Sequence, residues 1–486
     1  MRNAPTLLAL MLAVGCAGSG PGPGSSPRPN FLVLLVDDLG WTDLGCYGSD
    51  FYQTPNIDRL ASDGVRFTHG YAACTVCSPT RAALMTGMYP GRTGVTDFIA
   101  GHQRPDAPLK PPDWTMRLEH RHTTLAEALA AEGYRTAHVG KWHLMPRLEP
   151  DLMPEYAPER HGFEVNIGGN EWGAPGSYFH PYSSRSGDRA VSPLPEGGTE
   201  GDYLTDRLTD EAIKVLEEFA AEPFLLYFPY YNVHTPLQAR EEDRAMFESA
   251  VDPSNRHRNP VYAGMLAAVD RSVGRLRSKL EGLGIADRTV IVFTGDNGGL
   301  DRQGPDGRMG HPTENAPLRS GKGSAYEGGV RTPTIYFWPG VTPQGSVSQQ
   351  PVITVDVYPT VLEIAGASGD ADHNRSVDGV SLAGLLRNPE QQIQRNALYW
   401  HYPHYHNGGA TPHSAIRDGD WRLVHFYEDN RVELYDLASD VGEMRDLASE
   451  MPAKAEELRA KLDSWRAEVD AQDPLPNTDA TTARQP

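Results

Sequence analysis

Cysteine, basic residues and long apolar runs are all scarce in this chain of 486 residues. Only four cysteines occur, so each thiol needs its own explanation. Lysine and arginine number 44 against 64 aspartates and glutamates, and the formal net charge is −20. This balance argues against nucleic-acid binding, which normally needs a basic face. The apolar stretch at residues 7–14 is too short to span a bilayer.

The N-terminus has the composition of an export signal. Arg2 precedes the apolar stretch and small residues lead into Cys16, which predicts a signal peptide over residues 1–16. The run into Cys16 resembles a bacterial lipobox, which implies lipidation of Cys16 and an extracytoplasmic protein, anchored in the periplasm or cell envelope of a bacterium. A plain signal peptide with an incidental cysteine is the competing interpretation. Residues 17–28 are rich in Gly, Ser and Pro and predict a flexible tether.

Four strand-like runs deliver polar side chains to their carboxyl ends. The runs cover residues 31–36, 135–139, 223–228 and 289–294. The first of them is apolar without alternation, which is expected of a strand buried on both faces of a parallel sheet, and the run at 289–294 has the same character. The polar residues that follow them are Asp37, Asp38, Lys141, His143, Asn232, His234, Asp296 and Asn297. Because open α/β sheets bind ligands at the carboxyl ends of their strands, the four runs together predict a functional site.

The acids of this set favour a divalent cation. Three carboxylates, from Asp37, Asp38 and Asp296, with the amide of Asn297, form an oxygen-only shell suited to Ca²⁺ or Mg²⁺. Crowding the three acids without a cation would raise their pKa values or push the chain apart. A solvated turn is the alternative for the Asp37-Asp38 pair taken alone.

Residues 77–87 read Cys-Ser-Pro-Thr-Arg-Ala-Ala-Leu-Met-Thr-Gly. Ser78 predicts a helix N-cap, Pro79 the first helical position and Gly87 the stop, so Cys77 is expected at the positive end of a helix. A buried cysteine before an ordinary helix is the alternative for a lone Cys-X-Pro. The full string resembles the signature of the formylglycine-dependent sulfatases, Cys-X-Pro-Ser/Thr-Arg followed by Leu/Met-Thr-Gly.

The resemblance implies a nucleophile and a cofactor. A formylglycine-generating maturation enzyme would oxidise Cys77, and one hydroxyl of the hydrated aldehyde would attack the sulfur of a sulfate ester. Ca²⁺ is preferred over Mg²⁺ as the implied metal. Its implied ligands are Asp37, Asp38, Cys77 as formylglycine, Asp296 and Asn297.

The same resemblance assigns the basic residues. Arg81 would polarise the nucleophile together with the metal, and His143 would deprotonate its second hydroxyl so that sulfate is released. His234 or Lys322 would protonate the leaving oxygen. Lys141, His234 and Lys322 would bind the sulfate group. Taken singly, each lysine is more typical of a solvated surface group.

Strand-like and helix-like segments alternate along the catalytic part, and the resemblance implies an α/β, alkaline-phosphatase-like sandwich with a mainly parallel central sheet over residues 29–368. Predicted helices cover residues 124–131, 206–221, 261–283 and 356–365. Short alternating runs at residues 397–435 and a charged helix at 453–469 predict a small C-terminal antiparallel-sheet subdomain over residues 376–471. Residues 472–486 are polar and predict a disordered tail.

Aromatic and histidine-rich segments suggest sugar contacts. The loop at residues 155–201 carries Trp172, Tyr178, His180 and Tyr182, and we expect His180, His401 and His404 to contact a sulfated glycan substrate. The spacing of His401, His404 and His406 fits no structural zinc motif. Packing of these rings against the domain is the alternative.

Two other functions remain open at this stage. A phosphonate or phosphate ester hydrolase of the same superfamily would also bind a tetrahedral anion, and a silent carbohydrate-binding lipoprotein would result if the maturation enzyme were absent. Cys46 and Cys74 either pair in an oxidising compartment or stay free thiols.

Overall fold

The computed structural model describes Met1 and residues 28–301 and 312–479. The predicted signal peptide, Cys16 and the tether up to residue 27 lie outside the described residues. The strands are β1 Asn30–Val36, β2 Val65–Phe67, β3 Gly70–Tyr71, β4 Leu109–Lys110, β5 Arg135–Val139, β6 Val165–Ile167, β7 Phe224–Pro229, β8 Thr289–Gly295, β9 Thr334–Phe337, β10 Ser346–Ser348, β11 Val352–Ile353, β12 Leu398–Tyr402, β13 His413–Asp418, β14 Trp421–Phe426, β15 Val432–Asp436 and β16 Leu475–Pro476.

Helices cover both faces of the larger sheet. The α-helices are α1 Pro55–Asp63, α2 Cys77–Thr86, α3 Pro90–Thr93, α4 Leu125–Ala131, α5 Leu204–Phe219, α6 Glu241–Glu248, α7 Pro260–Gly282, α8 Glu327–Val330, α9 Val357–Ala365, α10 Ala371–Asn374, α11 Ala383–Arg387 and α12 Pro452–Glu468. Short 3-10 helices occupy Gly45–Tyr47, Pro150–Tyr156, Pro158–His161, Ala286–Arg288 and Thr354–Asp356. Within the described residues, none of the helices is both long and apolar enough to cross a membrane.

The central sheet has the strand order β10-β2-β9-β8-β1-β7-β5-β6. Its neighbouring strands run parallel except where β9 pairs with β2 and β8, so the expectation of a mainly parallel sheet is confirmed. Strand β1 lies between β7 and β8 in parallel register, with Leu34 opposite Phe228 and Phe293. The carboxyl ends of these three strands therefore meet at one edge.

Strand β1 explains why its sequence is apolar without alternation. Leu32 and Leu34 pack into one core with α5 and α7, while Phe31 and Val33 pack into a second core, on the opposite face, with α2, α4 and α9. Both faces are buried, and each large side chain buried in this way stabilises the fold by roughly 1.5–3 kcal/mol. The sheet is thus a rigid support for the polar residues that follow its strands.

The four long helices predicted from the sequence are present at α4, α5, α7 and α9, with ends that differ by a few residues. Thr124 caps α4 with the expected capping box to Glu127. The expected start of α2 is wrong. Cys77 is its first residue and Val76 its N-cap, because the Ser78 hydroxyl donates to the carbonyl of His143 instead of capping the helix.

The small C-terminal sheet has the order β12-β13-β14-β15 and is antiparallel throughout, as expected. Helix α12 packs on it, and its Trp465 ring stacks on Tyr399 with 4.7 Å between ring centroids. The expectation of a disordered tail is wrong for the part that the structure describes. There, Leu475 and Pro476 pair with the edge strand β4, because two backbone carbonyls accept hydrogen bonds from the Asn477 side chain.

Candidate active site

The acids predicted to form a site lie together at the carboxyl edge of the central sheet. Asp37 and Asp38 follow β1, and Asp296 and Asn297 follow β8, whose Gly295 is the parallel neighbour of Val36. The backbone N–H of Asp38 donates to Asp296 Oδ1 at 3.2 Å, and the Asn297 side-chain amide donates to Asp38 Oδ1 at 2.9 Å. Parallel pairing of two strands therefore gathers residues that are more than 250 positions apart in the chain.

Each of the three carboxylates faces a cationic side chain. Lys141 Nζ lies 2.6 Å from Asp37 Oδ2, and Lys322 Nζ lies 2.5 Å from Asp38 Oδ1. The Arg81 guanidinium donates two hydrogen bonds to Asp296 Oδ2, at 2.7 and 3.0 Å. All of these groups are buried, so their charges are weakly screened.

Three buried oxygens of this cluster have no hydrogen-bond partner among the described residues: Asp37 Oδ1, Asp38 Oδ2 and Asn297 Oδ1. Buried polar atoms are normally paired, so these oxygens have the free acceptor positions that ligands of a cation require. A ligand atom from each of Asp37, Asp38 and His234 also lies within 4.8 Å of the others. Burial and the charge of Asp296 raise the pKa of Asp37, an effect that a bound cation would offset. The donor set fits a hard divalent ion.

Cys77, on the first turn of α2, contacts His143. The Cys77 Sγ lies 3.3 Å from His143 Nδ1, and His143 Nε2 donates to the carbonyl of Ile99 at 2.6 Å. That second bond assigns the proton to Nε2 and leaves Nδ1 as the acceptor that faces residue 77. Burial lowers the pKa of His143 well below its usual value, with Lys141 adding to the effect, so the ring is neutral. Asp38 and His143 both have φ near 59°, a backbone conformation that non-glycine residues keep mainly at functional sites.

His234 follows β7 and faces Asp38. Its Nδ1 donates to the carbonyl of Thr235 at 2.8 Å, which turns Nε2 towards Asp38 Oδ2 at 3.8 Å. Burial first, and then the nearby Lys322, lower the pKa of His234 to about 3. For Lys322 burial opposes the charge, yet Asp38 raises its pKa above the usual value. The site thus contains a neutral histidine beside a charged lysine.

A cavity of about 290 Å³ opens over these residues. Of the residues predicted from the sequence to be catalytic, Cys77, His143, His234 and Lys322 line it. Arg81 and Lys141 are fully buried and face Asp296 and Asp37 instead. The complete lining is Asp38, Cys77, Phe98, Ile99, His102, His143, Arg147, Trp172, Gly173, Ala174, Arg189, His234, Leu300, Lys322, His406 and Asn407.

Most of the residues predicted to contact sugar lie elsewhere. His401 is buried in the small sheet between Ser414 and the carbonyl of Gln472, and His404 is buried beside Thr96. His180 packs edge-on against the buried Tyr182 and is absent from the cavity wall. These placements correct the expected glycan contacts of all three histidines, because the rings satisfy hydrogen bonds and packing within the protein.

Two further expectations for the loop at residues 155–201 are resolved. Tyr178 is buried and donates to the carbonyls of Tyr231 and His234, so it supports the site from below. Trp172 does line the cavity.

Cys46 and Cys74 are free thiols.

His406, which belongs to the histidine-rich segment expected to contact sugar, lines the cavity. The sequence did not predict three other charged or histidine side chains of the wall: His102, Arg147 and Arg189. They come from loops, where no periodic pattern marks which side chain turns inward. Of these three, only Arg147 had a usable signal, because it follows the Lys-Trp-His segment by four residues.

Comparison with known proteins identifies the relatives of this site. The chain matches the family described as Sulfatase over residues 29–367, and the family described as N-sulphoglucosamine sulphohydrolase, C-terminal, over residues 321–470. The chain belongs to the sulfatase family. It is a sulfuric ester hydrolase, and sulfatases generally use a formylglycine and a divalent metal.

Individual sulfatases align over most of the chain. A sulfatase of Formosa agariphila is 33% identical, with 92% of this chain and 89% of the relative covered. The N-acetylgalactosamine-6-sulfatase of Sus scrofa is 36% identical over 77% of this chain and 68% of its own. Among solved structures, Ps i-CgsB in complex with k-i-k-neocarrahexaose superposes with a TM-score of 0.75 at 30% identity, covering 92% of this chain and 94% of that one.

Proposed function

We propose that this sulfatase removes sulfate from a sulfated polysaccharide or its oligosaccharides, with residue 77 acting as formylglycine and a divalent cation beside it. The observation that carries the proposal is the convergence of Cys77, His143, His234 and Lys322 on one cavity, directly above carboxylates with unsatisfied oxygens. A nucleophile, a proton acceptor, a fixed cation and a metal site are the parts that hydrolysis of a sulfate ester requires.

The metal would be held by Asp37, Asp38, Asp296 and Asn297, and it would supply positive charge next to residue 77. Oxygen-only donors suit Ca²⁺ and Mg²⁺, and we propose Ca²⁺. Arg81 and Lys141 would act by positioning the metal ligands, because each holds one of these carboxylates in place through a buried ion pair. This differs from the direct contacts with nucleophile and sulfate that the family resemblance implied for them.

His143 is placed to take a proton from residue 77. Its Nδ1 is unprotonated and points at the Cys77 side chain, while the carbonyl of Ile99 fixes the tautomer. The low pKa of the buried ring keeps Nδ1 available as an acceptor at neutral pH. After maturation of residue 77, the same geometry would serve to deprotonate its second hydroxyl and release sulfate.

Lys322 is a stronger candidate than His234 for binding sulfate and for protonating the leaving oxygen. It remains charged beside Asp38 and lines the cavity. His234 turns an unprotonated Nε2 towards Asp38, so it must gain a proton before it can donate one. Of the two residues, Lys322 is therefore the one that carries a proton to donate to the leaving oxygen.

A glycan substrate is supported by the wall of the cavity and by the relatives. Trp172 offers an aromatic surface next to arginine and histidine side chains, and such mixed walls suit sugars with anionic substituents. One aligned relative acts on N-acetylgalactosamine-6-sulfate by its name, and one superposed structure contains a neocarrahexaose.

The test compares substrates. On a panel of defined sulfated oligosaccharides, the best kcat/KM should exceed that on 4-nitrophenyl sulfate at least tenfold, which is about 1.4 kcal/mol of additional transition-state binding. The Cys77→Ala variant should fold normally and be inactive on both. Fast turnover of the aryl ester with no desulfation of any glycan would contradict the carbohydrate assignment.

Two controls address the alternatives. Faster turnover of an aryl phosphate or phosphonate than of the aryl sulfate would favour the other ester hydrolases. The mass of the peptide that contains Cys77 shows whether the maturation enzyme has acted, and an unmodified cysteine in protein from the native host would favour a silent binding protein.

A further inference from the structure

Two arginines and one tryptophan form a charged wall inside the catalytic cavity. Arg147 and Arg189 both line it, together with Trp172 and Cys77. The guanidinium carbon of Arg147 lies 4.0 Å from the centroid of the Trp172 ring, and that of Arg189 lies 5.5 Å from it. Stacking on an aromatic ring orients a guanidinium while leaving its N–H donors at the edge free to bind an anion.

Asn170 holds this wall in place. Its side-chain oxygen accepts from the backbone N–H of Trp172 at 3.0 Å, and its amide donates to the carbonyl of Ala190, next to Arg189, at 2.8 Å. Its own carbonyl accepts from the backbone N–H of His143 at 3.0 Å. Through its side chain and its backbone carbonyl, Asn170 thus ties the segments that carry Trp172 and Arg189 to the segment that carries the proton acceptor.

Gly173 brings the wall into contact with the catalytic residues. A Cβ atom at this position would lie 2.4 Å from His143 Cε1, which is far inside van der Waals contact. Only glycine therefore lets the 172–174 segment lie directly on the His143 ring. Trp172, and the arginines stacked on it, are fixed beside the reacting centre by this approach.

Neither arginine is paired directly with a described carboxylate, although Glu171 near Arg147 and Asp188 next to Arg189 offset part of the charge. Neither forms an ion pair within 4.0 Å in the part of the chain that the structure describes. By contrast, Lys322, Lys141 and Arg81 each face a carboxylate. Burial, and then the charge of Arg189, lower the pKa of Arg147, which indicates that the two cations oppose each other. Neighbouring like charges of this kind are relieved by an anion bound between them.

We propose that Arg147 and Arg189 bind a second anionic group of the same substrate, either a sulfate ester or a carboxylate, while the sulfate to be removed lies at residue 77. The inference rests on the proposed function and narrows it to glycans that carry at least two acidic substituents. Planar guanidinium groups bind both anions through paired hydrogen bonds, so the shared chemistry is an oxyanion on a sugar.

The experiment uses the full, matured enzyme and three matched oligosaccharides: one with the scissile sulfate alone, one with a second sulfate and one with a carboxylate on the neighbouring sugar. The variants are Arg147→Gln, Arg189→Gln and the double variant. Arg185→Gln is the control, because Arg185 lies exposed on the same loop outside the cavity. Thermal unfolding confirms that every variant folds.

The wild type should have at least tenfold higher kcat/KM on a two-anion substrate than on the one-anion substrate, with most of the difference in KM. Either single variant should remove most of that preference, so that the ratio of kcat/KM between the two-anion and one-anion substrates falls towards one. Arg185→Gln should change neither rate. If only the oligosaccharide with a second sulfate is preferred, the arginines bind sulfate. If only the oligosaccharide with a carboxylate is preferred, they bind carboxylate.

Failure of the inference is distinguishable from failure of the proposed function. Equal efficiency on all three glycans, unchanged in the variants, would overturn the second anion site and leave glycan desulfation intact. If no glycan is desulfated, the same oligosaccharides serve as inhibitors of 4-nitrophenyl sulfate turnover. Tighter inhibition by two-anion glycans that is lost in Arg147→Gln would then support the anion site without the proposed substrate, and its absence would overturn both.

Discussion

The difference between Lys141 and Lys322 shows how much a single side chain's placement matters. Both follow family motifs, and both were expected to bind sulfate. Lys322 lines the cavity, whereas Lys141 is buried against Asp37 with no exposed surface. Lys322 is therefore placed to contact substrate, and Lys141 is placed to position a metal ligand.

Substitution of the two lysines should have separable effects. Lys322→Met should weaken competitive inhibition by inorganic sulfate, the product, at least ~10-fold, because it removes a cation from the cavity wall. Lys141→Met should leave sulfate inhibition within about threefold and lower the free energy of unfolding of metal-free protein by about 3–5 kcal/mol, since it leaves Asp37 buried without its partner. Inhibition constants and urea unfolding measure these effects.

Lys214→Met is the matched control, because the Lys214 side chain is exposed and its partner Glu211 keeps a second ion pair with Arg207. Equal loss of sulfate inhibition in both active-site variants would mean that Lys141 reaches the substrate after all.

For single residues, the sequence predicts which side chains lie together when those residues directly follow buried strands. Asp37, Asp38, Asp296 and Asn297 could be grouped in advance because strand periodicity and sheet rules determine where strand ends lie. Arg147 and Arg189 could not be grouped, since their positions depend on Asn170 hydrogen bonds and on the close approach at Gly173. Contacts of that kind leave no periodic trace in a sequence.

Among the secondary-structure elements, the pairing of β1 with β8 creates the candidate metal site. The register sets Val36 beside Gly295, so the residues that follow both strands share one buried volume. Helix α2 adds Cys77 on its first turn, where the helix dipole favours an anion. No one of these elements forms the site alone.

Removal of the metal should therefore affect both rate and stability. Dialysis against a chelator should abolish turnover and lower Tm, and Ca²⁺ should restore both more fully than Mg²⁺. Asp296→Ala should lower kcat/KM by orders of magnitude, because it removes a ligand and frees Arg81 from its ion pair. Steady-state kinetics and thermal unfolding with and without metal measure these changes.

Asp287→Ala is a suitable control, since Asp287 lies exposed next to the amino end of the same strand. Full activity in protein shown by elemental analysis to be metal-free would refute the cation.

The small sheet gives a prediction about pH. Burial first, and then Arg466, lower the pKa of His401 to about 3, from a usual value near 6.5. Between these values the unfolded chain binds a proton that the folded protein does not, so the free energy of unfolding falls as pH drops below about 6.5. One such histidine lowers the free energy of unfolding at pH 5 by roughly 2 kcal/mol relative to neutral pH.

The variant His401→Gln keeps the polar contacts to Ser414 and Gln472 without titrating. Between pH 7.5 and 5, its free energy of unfolding should fall by roughly 2 kcal/mol less than that of the wild type. His120→Gln, at an exposed position, should follow the wild type. If the free energy of unfolding, measured with urea, changed equally with pH in His401→Gln and in the wild type, the low pKa of His401 would be contradicted.

Element types were predictable from the sequence, and element ends were less so. The capping box at Thr124 was readable because side chain and backbone lie three residues apart. The start of α2 was not, because the Ser78 hydroxyl is engaged by a residue 65 positions away. The pairing of β16 with β4 was missed for the same reason, since it joins segments that are far apart in the chain.

The protein as a whole is negatively charged, whereas the wall of its catalytic cavity carries mainly positive charge. The formal net charge is −20, yet the charged residues of the cavity wall are Arg147, Arg189 and Lys322 against Asp38 alone. An anionic glycan therefore gains attraction only near the site, where burial strengthens it. The overall field disfavours adhesion of polyanions elsewhere on the surface.

The path of the chain into the fold sets the orientation of the proposed lipid anchor. Arg28 donates to the carbonyl of Glu132 and lies over Tyr134, beside the start of β5, and β1 begins at Asn30. The chain thus enters at the amino edge of the central sheet, while the catalytic residues follow the carboxyl ends, about 20 Å away along β1.

We propose that Cys16 is lipidated and that the enzyme is held at the cell envelope with its cavity facing away from the membrane. Native protein should then partition with membranes and require detergent for release, whereas Cys16→Ser should appear in the soluble extracytoplasmic fraction. Because the anchor attaches at the edge opposite the site, kcat/KM on a soluble oligosaccharide should agree within about twofold between the two forms. Fractionation with an activity assay measures both properties. Cys16→Ser protein that stays with the membrane would refute the anchor, and a large change in kcat/KM would place the membrane beside the cavity instead.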